Sequence, residues 1–105
     1  LSNIIAILDY NRFQQDGKID DVMNIEPIKA KWKSFNWEIK EAEGHSFSSL
    51  SKAITNFKTK KPKLLIAKTV KGKGISFMEN NNEWHVGGSK FTQKILNESL
   101  NELGE

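Results

Sequence analysis

An α/β fold, a parallel sheet flanked by helices in the order β-α-β-α-β-α, is predicted by three features of the sequence. Three short runs, within residues 4–8, 36–42 and 64–67, have the length and apolar content of strands. Two of them, Ile4-Ile5-Ala6-Ile7-Leu8 and Leu64-Leu65-Ile66-Ala67, are apolar without alternation, the habit of strands buried on both faces of a parallel sheet. Between and after the runs, apolar residues recur at helical spacing, and strands that alternate with helices pair in parallel.

Each element has its own signal. The first strand ends in the polar Asp9-Tyr10-Asn11, and residues 10–23, with the turn signal Asp16-Gly17, read as a loop. Asn24 is a candidate cap for the first helix, with Pro27 near its first turn and Ile28, Trp32 and Phe35 on one face. Trp37, Ile39 and Ala42 belong to the second strand, which leaves through Gly44-His45; His45 reads as structural. Ser46 is placed to cap a helix whose stripe is Phe47, Leu50, Ala53, Ile54 and Phe57. Lys58, Lys60 and Lys61 suit the end of that helix, and Pro62 stops it. After the third strand comes a long glycine- and asparagine-rich stretch, residues 71–88, of a length that often carries function. Phe91, Ile95, Leu96, Leu100 and Leu103 define a last helix, with Gly104 as its stop.

At 105 residues the chain is about one domain or less, with mixed charge summing to +3. The absence of cysteine excludes a disulfide scaffold, a thiolate metal site and a cysteine nucleophile. The apolar runs are too short to cross a bilayer, so no membrane partner is expected. Leu1 rather than Met stands first and a buried-type strand follows at once, so a fragment of a longer parent is expected. Three strands covered on both faces also make a poor independent unit, so further sheet is expected from elsewhere.

Ligands of open α/β sheets bind beyond the carboxyl ends of the strands, which directs attention to residues 9–13 and 68–88. The Asn11 oxygen is a hard, neutral donor suited to magnesium or calcium, but the residues alone favour a turn asparagine bonded to its own backbone. An EF-hand calcium loop fails, because Phe13 and Gln14 break its ligand pattern. Lys71-Gly72-Lys73-Gly74 lets backbone approach an anion beside two ammonium groups, and reads equally as a solvated basic turn. His85, after Trp84, is a candidate proton carrier or phosphate donor, or a surface histidine.

Two stretches go further. Asn3-Ile4-Ile5-Ala6-Ile7-Leu8-Asp9-Tyr10-Asn11 resembles the close of the thiamine-diphosphate motif of transketolases. The run from Ile66 through Lys71-Gly72-Lys73-Gly74 and Phe77-Met78-Glu79-Asn80 to Trp84-His85 resembles the transketolase segment that leads to a Trp-His pair. Glu26-Pro27, Trp32, Phe35, Trp37-Glu38 and Gly44-His45 fall in the same order as similar residues of that family. The resemblance covers nearly the whole chain. It implies that residues 1–105 are the later part of the diphosphate-binding domain of a larger thiamine-diphosphate-binding fold.

Position by position, the resemblance implies that the Asn11 side chain and the Phe13 backbone carbonyl bind a divalent cation, magnesium or calcium. It implies that Lys71 lies near thiamine diphosphate, and that His85 is catalytic and contacts both cofactor and substrate. The activity implied is transfer of a two-carbon ketol unit from a ketose phosphate to an aldose phosphate, as in pentose phosphate metabolism. The setting implied is a cytoplasmic homodimer or heterotetramer.

Two departures stand out. Val86 replaces the glycine that usually follows the histidine, which bears on substrate preference. The opening Gly-Asp-Gly, with its metal-binding aspartate, is missing, as are the family's upstream histidines and its activating glutamate. The chain alone is therefore expected to be inactive, needing the rest of its domain and a pyrimidine-binding domain on the same or a separate chain. The alternatives are a deoxyxylulose-phosphate or dihydroxyacetone synthase, a non-catalytic paralogue, and a basic nucleic-acid-binding module. The last is disfavoured because the aromatics take core positions and acids nearly balance the lysines.

Overall fold

A computed structural model describes residues 1–104, the side chain of Ser89 excepted. Glu105, the last residue of the expected 1–105 domain, lies outside the described residues. The chain forms two compact units. The first contains Leu1–Asn11 and Met23–Thr69, the second Arg12–Val22 and, of the described residues, 70–104.

Strands β1 (Ile5–Tyr10), β4 (Glu38–Glu43) and β5 (Lys63–Lys68) form the parallel sheet of the first unit, in the order β1-β5-β4. The registers Tyr10↔Lys68 and Glu43↔Lys68 bring all three carboxyl ends to one edge. The sheet is flanked by helices α2 (Ile28–Ser34) and α3 (Phe47–Thr55), so the predicted α/β architecture is present. On one face, Leu64 and Ile66 pack with Ile28, joined by Leu8, Trp32 and Ile39. On the other, Leu65 packs with Ala42 and Ala53, joined by Leu50 and Phe57.

The central strand is thus buried on both faces as expected, but β1 is not. Ala6, Leu8 and Tyr10 join the α2-side core, whereas Ile5 and Ile7 are 43% and 61% exposed on the other face. The reason is connectivity. Helix α3 joins β4 to β5 and covers those two strands, leaving edge strand β1 uncovered on that side.

Other differences are local. Asn24 does not cap α2. Its Oδ1 accepts from the Glu26 N–H, and it is the Glu26 carboxylate that accepts from the Ile28 N–H, the first free donor of the helix (2.9 Å). Phe35 is exposed, because α2 stops at Ser34 and Asn36 turns left-handed at φ 65. The second strand starts two residues later than expected for the same reason. Trp32 and Trp37 meet edge-to-face across this turn, with ring centroids 4.7 Å apart. Ser46 does cap α3, its hydroxyl accepting from the Ser49 N–H (3.3 Å), but Phe47 is 92% exposed and outside the buried stripe.

Glu38 ties the end of the α3–β5 connection to the sheet. Its carboxylate accepts from the Thr59 hydroxyl, from Thr59 N–H (2.9 Å) and from Lys58 N–H (3.2 Å). The Thr59 hydrogen bonds, side chain first, hold its pKa down to about 2 from 4.5. A depressed folded pKa means the contribution is complete above the unfolded value and lost as pH falls through the folded one. Acid titration of the wild type should therefore show a loss of stability between about pH 4.5 and 2 that is reduced in Glu38→Gln. Matching acid limbs for the two proteins in circular dichroism would contradict this.

The second unit holds what the sequence read as loop. Residues 10–23 contain a short antiparallel hairpin, β2 (Phe13–Gln14) and β3 (Gly17–Lys18), and the one-turn helix α1 (Ile19–Val22). Asp16-Gly17 lies at the hairpin turn, as its composition suggested. Helix α4 (Gln93–Leu103) starts at Thr92, whose hydroxyl accepts from Ile95 N–H (3.3 Å), and ends at the left-handed Gly104 (φ 83).

Candidate functional site

The carboxyl edge of the sheet is polar. In the first unit Thr69 donates through its hydroxyl to Asp9 and through its N–H to the Tyr10 carbonyl (3.3 Å), which ties the exits of β5 and β1 together. Tyr10 donates its phenol to Glu26. Glu41 takes hydrogen bonds from Lys29 and, at 3.3 Å, Lys68; the first contributes most to holding its carboxyl below the ordinary range. Gly44 allows the close return of the chain here. A Cβ on it would lie 2.8 Å from the Lys68 carbonyl, and its N–H donates to that same oxygen (2.7 Å).

Asn11, half-buried, closes the first segment of this unit. Arg12 follows in the left-handed region at φ 65, which ends the strand abruptly before Phe13. Non-glycine residues adopt that conformation at a cost, and such positions gather at functional sites. Within the second unit Arg12 is anchored by an ion pair to Asp20 (2.8 Å) and by its carbonyl, which accepts from Ile19 N–H (3.0 Å).

The rest of the second unit supplies the long segment from residue 70. The Asn80 N–H donates to the Lys71 carbonyl (2.8 Å) and closes a compact loop between them. Gly72, at φ 75, is required at its throat, since a Cβ there would sit 2.3 Å from the Met78 carbonyl oxygen. The expected anion cradle is only partly available. The Glu79 carboxylate already accepts from Gly74 N–H (3.2 Å) and pairs with Lys73 (3.1 Å), so the glycine serves an internal contact. Glu102 of α4 clamps the same loop by accepting from the N–H and hydroxyl of Ser76, and these bonds lower its pKa.

The loop runs into a short 3-10 turn, Asn82–Trp84, capped by Asn81, whose side chain accepts from Glu83 N–H (3.0 Å). Trp84 packs on Phe77 with centroids 5.5 Å apart. His85 sits exposed at the end of this turn, its N–H bonded to the Asn82 carbonyl (3.0 Å). Its Nδ1 lies 3.2 Å from the Nζ of Lys71. Two residues singled out from the sequence, fourteen positions apart, are thus in contact.

Sequence reasoning named both but missed their pairing, and it missed Glu79 and Glu102 as the carboxylates that shape the loop. No local pattern marks those acids, because each acts across a fold-determined gap. Also unforeseen are Gln14 Nε2 and Asn82 Oδ1, both buried and without a protein hydrogen-bond partner. Among the described residues no cluster of three or more His, Cys, Asp or Glu side chains could hold a metal ion. What this chain offers a cation near Asn11 is amide and carbonyl oxygen, hard donors suited to magnesium.

The first unit is an open α/β sheet with a polar carboxyl edge, the class of fold whose ligands bind beyond that edge. The chain belongs to the transketolase family: its sequence matches the transketolase thiamine diphosphate binding domain over residues 1–104. It is 36% identical to an apulose-4-phosphate transketolase subunit of Phocaeicola vulgatus, covering 100% of this chain and 37% of that protein. It is 32% identical to a 6-deoxy-6-sulfo-D-fructose transketolase subunit of a Clostridium species, covering 98% of this chain and 38% of that one. The transketolase of Campylobacter jejuni superposes with a TM-score of 0.83 at 27% identity, over 98% of this chain and 16% of that chain. The chain therefore spans well under half the length of these relatives. Among the described residues no helix is long and apolar enough to cross a membrane.

Proposed function

We propose that this chain forms part of a transketolase-type transferase that moves a two-carbon ketol unit between sugar phosphates, using thiamine diphosphate and a divalent cation. The observation that carries this reading is the family match along 1–104. When bound, thiamine diphosphate supplies the carbon nucleophile that the sugars cannot. The Asn11 amide oxygen and the Phe13 carbonyl would hold the cation, magnesium or calcium, which would neutralise the diphosphate charge. The hard oxygen character of both donors supports this fit, as does the left-handed turn at Arg12 between them. Lys71 would add positive charge for the diphosphate. His85 is the catalytic residue of this chain, contacting cofactor and substrate oxygens.

The remaining site groups come from outside this segment: the Gly-Asp-Gly aspartate, and an activating glutamate on a pyrimidine-binding domain. The assembly is a cytoplasmic homodimer or heterotetramer. A division of the enzyme between two chains is favoured by the two bacterial relatives, both of which are named as subunits. Val86, 68% exposed directly after His85, adjusts which sugar is accepted. The complete assembly, given thiamine diphosphate, magnesium, a ketose phosphate and an aldose phosphate, is expected to form a product longer by two carbons. This chain alone should form none. A complete, cofactor-saturated assembly that transfers no ketol unit between any such pair would contradict the reading.

A further inference from the structure

We propose that Lys71 is a positioning residue that fixes the tautomer of His85, so that the imidazole offers Nε2–H as a hydrogen-bond donor. An ammonium has three N–H donors and no acceptor. With Lys71 Nζ 3.2 Å from His85 Nδ1, the ring nitrogen must be the acceptor. A neutral imidazole that accepts at Nδ1 carries its proton on Nε2.

Both partners are held independently. Lys71 sits in the loop closed by Asn80 N–H on its carbonyl (2.8 Å). His85 sits at the end of the turn capped by Asn81 and propped by Trp84 on Phe77. The neighbouring lysines are otherwise engaged: Lys73 pairs with Glu79 (3.1 Å) and Lys90 with Glu83 (3.4 Å). Glu83, the acid nearest to His85 in sequence, is thereby turned to a different cation.

The consequence concerns what His85 can do. With Nδ1 occupied and Nε2 protonated, the ring has no lone pair free to remove a proton. It donates to a hydroxyl, carbonyl or phosphate oxygen instead. That this oxygen belongs to a sugar or to the cofactor rests on the function proposed above; the tautomer does not.

The test is nitrogen NMR on the complete assembly, with ring-labelled histidine in this chain, before substrate is added. His85→Gln identifies the signals, since the only other histidine in the chain is His45. The wild type should give a single tautomer with Nε2 protonated and Nδ1 shifted as a hydrogen-bond acceptor. Lys71→Met should move the Nδ1 signal towards that of an unbonded ring, and Lys71→Gln, which keeps an N–H donor, should move it less. An Nδ1-protonated ring in the wild type, or ring signals that are unchanged in Lys71→Met, would overturn the proposal. These signals do not depend on turnover. A wild-type assembly that shows them yet transfers no ketol unit overturns the functional reading and supports the pairing.

Discussion

Leu65→Ala is expected to lower the stability of this chain by about 3 kcal/mol, within the usual range for a buried leucine truncated to alanine. Leu65 is 0% exposed at the centre of β5, the middle strand of the sheet. It is the residue on which Ala42, Ala53, Leu50 and Phe57 converge. The two named core partners are alanines, whose short side chains cannot swing into the space left behind, so a cavity would remain. The core is also small, with seven buried apolar residues in all among those described. The loss is therefore a large share of what holds α3 to the sheet. Phe47→Ala, by contrast, removes a side chain 92% exposed on the same helix and should change the stability of this chain by less than about 0.5 kcal/mol. Denaturant unfolding checks both. A lowered midpoint at constant slope for Leu65→Ala alone is the expected result.

Gly72→Ala should be the most disruptive glycine substitution in the second unit. Two costs add there. An alanine at φ 75 is strained by about 1–2 kcal/mol whatever surrounds it. The new methyl would also stand 2.3 Å from the Met78 carbonyl oxygen and 3.0 Å from the Met78 Cβ, so the backbone must move. The Asn80–Lys71 hydrogen bond closes the loop immediately beside this point, and Lys71 would move with it. Gly88→Ala is the matched control, with a similar left-handed φ of 48 but nothing within 4 Å of the added methyl. Gly72→Ala is expected to lose amide protection from residue 71 to residue 80 and to disturb the His85 ring signals. Gly88→Ala should do neither. Equal effects from the two would contradict the close-approach argument.

Much of this arrangement was legible in the sequence, for physical reasons. Leu64 to Ala67 reads as a doubly buried strand because it is one, with a core on each face. Gly104 and Ser46 end and begin helices through local chemistry that sequence displays directly. Ile4 to Leu8 carries the same apolar signal, but an edge position is a property of sheet order, which no single strand encodes. The end of α2 was misjudged because Phe35 continues the apolar spacing, while the left-handed Asn36 breaks the backbone. The hairpin of residues 13–18 is too short to announce itself by alternation. At the candidate site, Asn11, Phe13, Lys71 and His85 are the residues that the family resemblance nominates. The Lys71–His85 contact and the Glu79 and Glu102 restraints depend on the folded path of residues 70–104, and no spacing rule anticipates them.

The proposed function depends above all on anchoring of thiamine diphosphate through a metal held at Asn11. Calorimetric titration of the complete assembly with thiamine diphosphate, with magnesium and again with a chelator, tests it most directly, for wild type and Asn11→Ala. Binding should require the metal and weaken by at least about tenfold in the variant, ~1.4 kcal/mol. Binding indifferent to both the chelator and the substitution, or no binding by the complete wild-type assembly, would contradict it.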